Sequence, residues 1–412
     1  MRIPVVLLLI PASSYRTHDF LEAAHALGLE VHVGTDQPQV LAEVVPEQTL
    51  VLDFGDTESA GAAIAELHTR HPFSVVLGVD DESVELAAQA SQCLGLPHNS
   101  PESVALTRDK FRMRQCLASA GLASPNFQRF PVASDPETLL DSIRYPCVLK
   151  PLFLAGSQGV MRADSPDGFC AAFRTLQELL AAPELQKRGG ERAGWVLVED
   201  YLPGREVSLE GVLTHGRLQT LALFDKPDPL EGPIFAETLY VSPSRLPQAL
   251  QQRIQAVVEQ TAQALGLTTG PVHAEARVHQ GNVWMLECAA RTIGGLCARM
   301  LAFSGGMSLE ELILRHALGR NIQTAQTTAN ACGALMLPIP KSGTLQGIEG
   351  WEAVREISGV LEAVPSLPNG TEVRPLPHDA RYLGFVLVRG TTPEAVEATL
   401  REAWAQLRIE IA

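Results

Sequence analysis

The chain has 412 residues, of which 46% are hydrophobic and 19% are charged. This balance is typical of a folded globular protein and excludes a disordered or fibrous chain, and the length corresponds to about two to four domains at roughly 150 residues each. The 32 Lys and Arg residues against 47 Asp and Glu residues give a net charge of −15, which disfavours nucleic acid as a partner.

Two features of the sequence bear on where the protein works. The seven cysteines form no C-x-x-C pair, which argues against a zinc ribbon, a thioredoxin motif or a disulfide framework and predicts buried thiols in a reduced, cytoplasmic protein. The apolar run at 3–10 is far shorter than the roughly 20 residues of a membrane span. Because a helical segment and a second strand follow it, we interpret this run as a buried strand rather than a signal peptide. We therefore expect no contact with a membrane.

Short apolar runs alternate with helical patterns over the first 105 residues, which predicts a parallel sheet with crossover helices. The first strand-to-helix turn lacks G-x-G-x-x-G and the chain contains no Gly-Lys dipeptide, so it carries neither a dinucleotide fingerprint there nor a Walker A loop. The predicted strands are 5–10, 30–34, 49–52 and 74–79, and the predicted helices are 18–28, 57–70 and 82–94.

From about residue 106 the pattern changes to helices mixed with strand pairs. Strand 147–151 leads into a glycine-bearing loop at 155–160, and strand 195–199 leads through 200–204 into strand 206–210. The remaining predicted elements are helices 109–117, 246–265 and 393–406 and strands 333–337 and 383–388.

The segment 272–287 contains two strands around a turn with glycine, which predicts a hairpin. If the loop is 280–282, Glu275 lies directly opposite Glu287, and like charges in that position destabilise a sheet unless they are neutralised. Mg²⁺ would neutralise them, because it typically takes one or two carboxylates and completes its coordination with water and phosphates. The alternative is a solvated hairpin with one turn residue fewer, in which the carboxylates do not meet.

Two basic residues lie beside segments of small residues. Arg291 precedes Gly294 and Gly295, and its guanidinium suits an oxyanion or a carboxylate, although it could equally pair with the two glutamates in the absence of a metal. Lys150 ends an apolar strand just before the glycine loop, whose backbone N–H groups suit phosphate. The alternative for Lys150 is an ordinary solvent-facing lysine.

Taken in order, these motifs resemble the ATP-grasp superfamily from about residue 1 to 320 and, less specifically, to the end of the chain. The resemblance implies an α/β and α+β ATP-grasp architecture. Its parts are an N-terminal parallel α/β domain (1–105), a two-layer nucleotide-binding core (106–320, with a small lid at about 125–198) and a C-terminal mixed β domain (321–412). The motifs that carry it are Lys110, Lys150-Pro151 with the glycine loop, Glu199-Asp200-Tyr201-Leu202, Gly204-Arg205-Glu206, His273-x-Glu275 and Glu287-x-x-x-Arg291.

The resemblance also implies a role for each matching residue. The linker that begins at Glu199 would meet the adenine edge, Glu206 would hold the ribose hydroxyls, and the two lysines would contact phosphates beneath the glycine loop. Glu275 and Glu287 would hold Mg²⁺, with Mn²⁺ as an alternative ion. The implied ATP-binding residues are Lys110, Lys150, Gly156, Ser157, Gly159, Glu199, Asp200, Tyr201, Leu202 and Glu206.

One departure narrows the resemblance. Many ATP-grasp enzymes have Asn two residues after the second metal-binding Glu, where this chain has Ala289, and this leaves one metal position to water or substrate. The run Glu-x-Ala-Ala-Arg is more similar to bacterial L-amino-acid ligases of the bacilysin type, as are Asp225-Lys226-Pro227 and Phe235-Ala236-Glu237. Glu237 matches a position that lines the amino-acid pocket, where its carboxylate could bind an α-ammonium group; the alternative is a surface glutamate.

The resemblance implies an ATP-dependent carboxylate–amine ligase that forms an amide, in particular a dipeptide, through an acyl phosphate and releases ADP and phosphate. Lys150 and Arg291 would be catalytic, and Arg291 would stabilise the oxyanion beside Gly294 and Gly295. His273 is a candidate base or a structural histidine. The implied substrate-binding residues are Glu237, His273, Arg291, Gly294 and Gly295. The expected partners are ATP and amino acids, and a homodimer is compatible with the resemblance. The alternatives are a biotin-carboxylase-like enzyme acting on bicarbonate and a nucleotide-binding module without chemistry.

Overall fold

The computed structural model of the protein describes residues 3–37, 48–325, 327 and 330–412. Its first elements are β1 (Val5–Leu9), α1 (Thr17–Ala26), β2 (Glu30–Thr35), β3 (Thr49–Val51), α2 (Thr57–Arg70), β4 (Val75–Gly78) and α3 (Val84–Leu94). The strands form a parallel sheet in the order β3-β2-β1-β4. The predicted parallel α/β section is confirmed, and the element bounds differ from the prediction by at most two residues.

The carboxyl ends of β1 and β4 bring two polar turns to the same edge of this sheet. β1 is apolar and buried along its whole length, as expected for a central parallel strand. At the end of β4, a side chain on Gly78 would place its Cβ 2.7 Å from Val84 Cα, so glycine allows α3 to begin close to the strand. The tight turn between them holds Asp80 and Asp81 at the edge of a central cavity.

A small antiparallel sheet follows two connecting helices. The elements are α4 (Pro101–Thr107), α5 (Lys110–Ser119), β5 (Phe127–Pro131), β6 (Cys147–Pro151), β7 (Met161–Ala163), α6 (Pro166–Leu180), α7 (Pro183–Gly189) and β8 (Trp195–Asp200). The strand order is β5-β8-β6-β7, and α6 packs Phe169 and Phe173 onto the sheet. The Asp109 carboxylate accepts hydrogen bonds from the backbone N–H groups of Phe111 and Arg112, which fixes the first turn of α5 and thereby the position of Lys110.

A larger antiparallel sheet contains strands from both the middle and the end of the chain. The remaining elements are β9 (Arg205–Thr214), β10 (Arg217–Asp225), β11 (Leu239–Ser242), α8 (Gln248–Ala264), β12 (Gly270–His279), β13 (Asn282–Ala289), α9 (Leu309–Ala317), β14 (Ala331–Leu337), β15 (Gly343–Glu349), α10 (Trp351–Arg355), β16 (Val360–Pro365), β17 (Glu372–Val373), β18 (Gly384–Gly390), α11 (Pro393–Gln406) and β19 (Arg408–Ile411). The large sheet has the order β13-β12-β9-β10-β11-β14-β18-β16, and β17-β15-β19 form a smaller one. The helix α8 packs Ile254, Val258 and Ala262 against the large sheet, where it contacts β10 and β13, and forms the second layer.

The cysteine prediction is correct in part. All seven thiols are free, and five are buried, but Cys93 is exposed and Cys116 is half-buried. Cys93 lies near the end of α3, on a turn of the amphipathic helix that faces solvent. Among the helices that the structure describes, none combines the length and apolar character that crossing a bilayer requires.

Candidate functional site

A cavity of about 360 Å³ lies where the first parallel sheet, the small sheet and the large sheet meet. Its size is at the lower end of the range of about 300–1,000 Å³ that is usual for small-molecule sites. Of the residues predicted for the site, every one except Gly159 lines this cavity. They are Lys110, Lys150, Gly156, Ser157, Glu199, Asp200, Tyr201, Leu202, Glu206, Glu237, His273, Glu275, Glu287, Arg291, Gly294 and Gly295.

Gly159 has a packing role that differs from the prediction. A Cβ on this residue would lie 2.6 Å from Pro151 Cγ, and its φ of +74° is one that side chains rarely adopt, so only glycine fits here. Its N–H donates to the carbonyl of Pro377 at 2.9 Å, and the Gln158 amide donates to the carbonyl of His378 at 2.7 Å. The glycine loop therefore rests on a loop from the C-terminal section, while Gly156 and Ser157 face the cavity.

The hairpin of β12 and β13 places the Glu275 and Glu287 backbones directly opposite each other, as predicted, but for a different reason. The turn has only the two residues Gln280 and Gly281, with φ of +50° and +77°, which suits the twist of a tight hairpin. A bulge then adds Leu286 to β13 and shifts the register by one residue. The shorter turn and the bulge cancel, so the two glutamates face each other.

An ammonium group lies among three carboxylates at the centre of the cavity. Lys226 Nζ is 2.7 Å from Glu206 and 2.8 Å from Glu275, and it also contacts Glu237. Burial alone would lower the pKa of Lys226, but the three carboxylates raise it well above its usual value. Burial raises the pKa of Glu237 to about 7, against the lowering effect of Lys226. The lysine therefore remains charged, and the region can accommodate positive charge.

Two further lysines line the same cavity. Lys110 Nζ donates to the carbonyl of Leu154 at 2.6 Å and lies 3.4 Å from the Glu287 carboxylate. Lys150 Nζ is 2.6 Å from Glu199, so it is a buried, paired residue rather than a solvent-facing one. Burial lowers the pKa of Lys150 in spite of this pairing. Both side chains begin on rigid elements, α5 and β6, and reach the same cavity.

Glu199 is held by two cations in the interior. Its second carboxylate oxygen is 2.6 Å from Arg114 Nε, and Arg114 also donates to the carbonyl of the bulge residue Leu286 at 2.7 Å. Burial would raise the pKa of Glu199, but Arg114 and Lys150 lower it to about 2. The ion pair thus links α5 and the small sheet to the bulged strand of the large sheet.

Arg291 pairs with an aspartate of the N-terminal section rather than with the two glutamates. Its guanidinium is 2.8 Å from Asp81 and donates to the carbonyl of Thr292 at 2.9 Å. Arg108 approaches the other Asp81 oxygen at 2.9 Å. Although burial would raise it, these two arginines hold the pKa of Asp81 well below its usual range. The Arg291 side chain is therefore preoriented and charged at the cavity wall.

His273 lines the cavity and has a hydrogen-bond partner in the interior. Its Nδ1 is 3.1 Å from Glu210, which also accepts the backbone N–H of Ile293 at 3.0 Å. Burial alone would lower the pKa of His273, but hydrogen bonding to Glu210 and Glu275 raises it to about 9. The hydrogen bond to Glu210, which also anchors the backbone of Ile293, favours the structural alternative for His273.

Several cavity residues were absent from the predicted set. Lys226 directly follows β10 and Arg277 lies within β12, where a charged residue could have been expected to face solvent. Asp81 and Tyr382 come from sections distant in sequence. Arg277 donates to the Leu202 carbonyl at 2.6 Å and pairs with Glu206 at 3.0 Å. For Arg277, the available signal was an arginine at an otherwise apolar strand position, because a buried charge requires a partner.

The comparisons with known proteins agree with this arrangement. Three family models match: an ATP-grasp domain over residues 143–300, an ATP-grasp N-terminal domain over 21–98, and an L-amino acid ligase C-terminal domain 2 over 335–412. The chain contains an ATP-grasp domain, preceded by an ATP-grasp N-terminal domain. The resemblance found in the sequence, including that to L-amino-acid ligases, and the expected fold class are thereby confirmed.

The similar proteins include ligases and, among the solved structures, a biotin carboxylase domain, all at low identity. Alanine--anticapsin ligase of Bacillus subtilis (strain 168) is 26% identical over 241 residues, which cover 55% of this chain and 50% of that ligase. The crystal structure of an L-amino acid ligase from Bacillus licheniformis superposes with a TM-score of 0.84 and 24% identity over the full length of both chains. The biotin carboxylase domain of the Hydrogenobacter thermophilus 2-oxoglutarate carboxylase, solved with MgADP and bicarbonate, has a TM-score of 0.68 and 14% identity, covering 100% of this chain and 91% of that one.

Proposed function

We propose that the protein is an ATP-dependent carboxylate–amine ligase that joins two L-amino acids and releases ADP and phosphate. The observation that carries the proposal is one cavity that brings the opposed Glu275 and Glu287 together with Lys110, Lys150 and Arg291. Opposed carboxylates and converging cations are what transfer of a phosphoryl group to a carboxylate requires. The likeness to an alanine--anticapsin ligase supports an amino acid as the carboxylate substrate.

The residues present fit a divalent cation. Glu275 and Glu287 both line the cavity and lie opposite each other on neighbouring strands. Each carboxylate has an ammonium neighbour, Lys226 at 2.8 Å and Lys110 at 3.4 Å, so both lie where positive charge is stabilised. Carboxylate oxygens are the ligands that Mg²⁺ prefers, and Mn²⁺ accepts the same donors. When bound there, the metal would supply charge neutralisation for the ATP phosphates.

The residues of the chain would perform the other parts of the reaction. We propose that Lys110 and Lys150 neutralise the phosphates during transfer, beneath the loop that carries Gly156 and Ser157. The product of this first step is an acyl phosphate, which the amine of the second substrate attacks at the acyl carbon. Arg291, held in place by Asp81, would stabilise the oxyanion that forms during the attack.

Part of the cavity offers a place for amino-acid side chains. Tyr15, Met336 and Tyr382 contribute apolar surface, and both tyrosines stack edge-on against the buried Phe385. Glu237 lies on the same side and accepts a hydrogen bond from the Tyr240 hydroxyl at 2.9 Å. We propose that Glu237 binds an α-ammonium group while the aromatic surface contacts an apolar side chain.

Different sections of the chain would form different parts of the site. We propose that residues 106–320 form the nucleotide-binding core, with 125–198 as a lid, and that 1–105 and 321–412 complete the substrate pocket. Asp81 and Tyr15 come from the first of these outer sections, and Met336 and Tyr382 come from the second.

The deciding experiment measures phosphate release from ATP with pairs of amino acids, with bicarbonate, and with neither, and identifies the product by mass spectrometry. We expect turnover to ADP only with amino acids, together with a dipeptide mass. Turnover driven by bicarbonate alone would favour a carboxylase, and AMP as the product would contradict an acyl phosphate. A Glu287→Gln variant, which keeps the shape and removes the charge, is the matched inactive control.

A further inference from the structure

We propose that Glu30, His32 and His71 form a binding site for one divalent transition-metal ion of the Zn²⁺ type, at the edge of the N-terminal sheet opposite the cavity. One oxygen of Glu30 lies 3.5 Å from His32 Nε2 and 3.5 Å from His71 Nδ1. The three donor atoms all lie within 4.8 Å of one another.

These distances suit tetrahedral coordination. With zinc–ligand bonds of about 2.0–2.2 Å and tetrahedral angles, neighbouring donor atoms are about 3.3–3.6 Å apart. The two distances of 3.5 Å therefore match a tetrahedral edge but are too long for ordinary hydrogen bonds. Two imidazoles and one carboxylate are a frequent zinc donor set and leave the fourth position to water.

The His32 side chain gives a second line of support, independent of the distances, because its ring is buried without a hydrogen-bond partner among the described residues. The residue is 1% exposed, and neither ring nitrogen has a hydrogen-bond partner among the residues that the structure describes. A buried polar group without a partner is costly, so such groups usually have a ligand or a water.

The fold positions the donors with little freedom. Glu30 and His32 are two residues apart on β2 and so share one face of the sheet. His71 directly follows α2, and its ring lies 4.5 Å from that of His32, centre to centre. The Phe73 ring packs edge-on against the His32 ring, with 5.7 Å between their centres. The metal would thus join β2 to the connection between α2 and β4.

The site is separate from the proposed active site. Glu30 begins β2 at the amino-terminal edge of the parallel strands, whereas the cavity lies beyond their carboxyl ends. A metal at Glu30, His32 and His71 would therefore stabilise the N-terminal sheet without contacting the substrates. Its donor set of two nitrogens and one oxygen also differs from the all-oxygen set offered to Mg²⁺.

The test uses the full chain without a histidine tag, stripped with EDTA and titrated calorimetrically with Zn²⁺ in excess Mg²⁺. The variants are His71→Ala and Glu30→Gln, both at partly exposed positions, so the fold should survive. His18→Ala is the matched control, because His18 and Glu22 form a His–Glu pair with the same 3.5 Å separation on an exposed helix face. Among the described residues this pair belongs to no three-ligand cluster.

We expect the unaltered protein and His18→Ala to bind one Zn²⁺ equally and to melt at a higher temperature with Zn²⁺ than without it. His71→Ala and Glu30→Gln should each weaken binding at least about tenfold, since each removes one of three ligands. Melting without metal checks that each variant is folded. Absence of Zn²⁺ binding in the unaltered protein, or equal binding in all three variants, would overturn the proposal.

Discussion

Replacing Glu199 with Gln tests whether the buried ion pair beneath the cavity stabilises the protein. The carboxylate is 3% exposed and contacts Arg114 and Lys150 at 2.6 Å each. The decrease of its pKa from 4.5 to about 2 corresponds to about 3 kcal/mol, at about 1.4 kcal/mol per pH unit. Removal of one partner from a buried pair typically costs about 3–5 kcal/mol, which is of the same order.

We therefore expect Glu199→Gln to lower the melting temperature by about 6–20 °C, at about 2–4 °C per kcal/mol for a domain of 150–250 residues. The stabilisation by Glu199 should decrease in acid. Because the pKa of Glu199 is depressed in the folded state, its contribution is complete above about pH 4.5 and is lost as the pH falls towards 2. The difference in melting temperature between Glu199→Gln and the unaltered protein should therefore become smaller as the pH falls from 4.5 towards 2.

Thermal unfolding followed by circular dichroism at pH 7 and at pH 3 to 4 measures both effects. Glu137→Gln is the matched control, since Glu137 pairs with Arg174 at 2.8 Å but both side chains are more than half exposed. Such surface pairs contribute about 0–1 kcal/mol. If Glu199→Gln melts within about 2 °C of Glu137→Gln, or if acid does not narrow its difference from the unaltered protein, the reasoning is refuted.

Three further substitutions test the proposed chemistry. Glu287→Gln should reduce Mg²⁺-dependent phosphate release by at least about 10²-fold with an unchanged melting temperature, and a near-normal rate would contradict the metal site. Arg291→Ala should reduce dipeptide formation by about 10²–10³-fold while calorimetry shows only a few-fold change in nucleotide affinity. A loss of binding as large as that of Lys150→Ala would instead assign Arg291 to the phosphates. Asp81→Asn should slow ligation because it removes the carboxylate that orients Arg291, and an unchanged dipeptide yield would exclude that role.

The sequence predicted the local elements well because hydrophobic periodicity and caps are local properties. The helix predicted at 57–70 is α2, with the same bounds, and its start is fixed by the Asp56 side chain accepting from the Ser59 N–H. The opposition of Glu275 and Glu287 was predicted correctly from an incorrect turn. A bulge depends on tertiary contacts of the strand, here the hydrogen bond from Arg114 to the Leu286 carbonyl. The local sequence pattern therefore does not predict it.

The charge network of the site was less predictable. Glu199 was assigned through its backbone, yet its side chain carries the contacts with Arg114 and Lys150. Asp81 and Arg291 are 210 positions apart in the chain, and only the fold brings their side chains together. The roles proposed for individual site residues remain predictions that the substitutions above address.

The pairing of β11 with β14 has a consequence for protein engineering. Four backbone partners, from Leu239–Leu335 to Ser242–Cys332, make the C-terminal strands a direct extension of the sheet that carries the two opposed glutamates. A fragment that ends before residue 331 would leave β11 as an open edge and would strip buried partners from Tyr240. Open apolar edges promote aggregation. Chimeras that exchange the C-terminal section should therefore keep β11 and β14 from the same parent, so that their side chains have been selected to pack together.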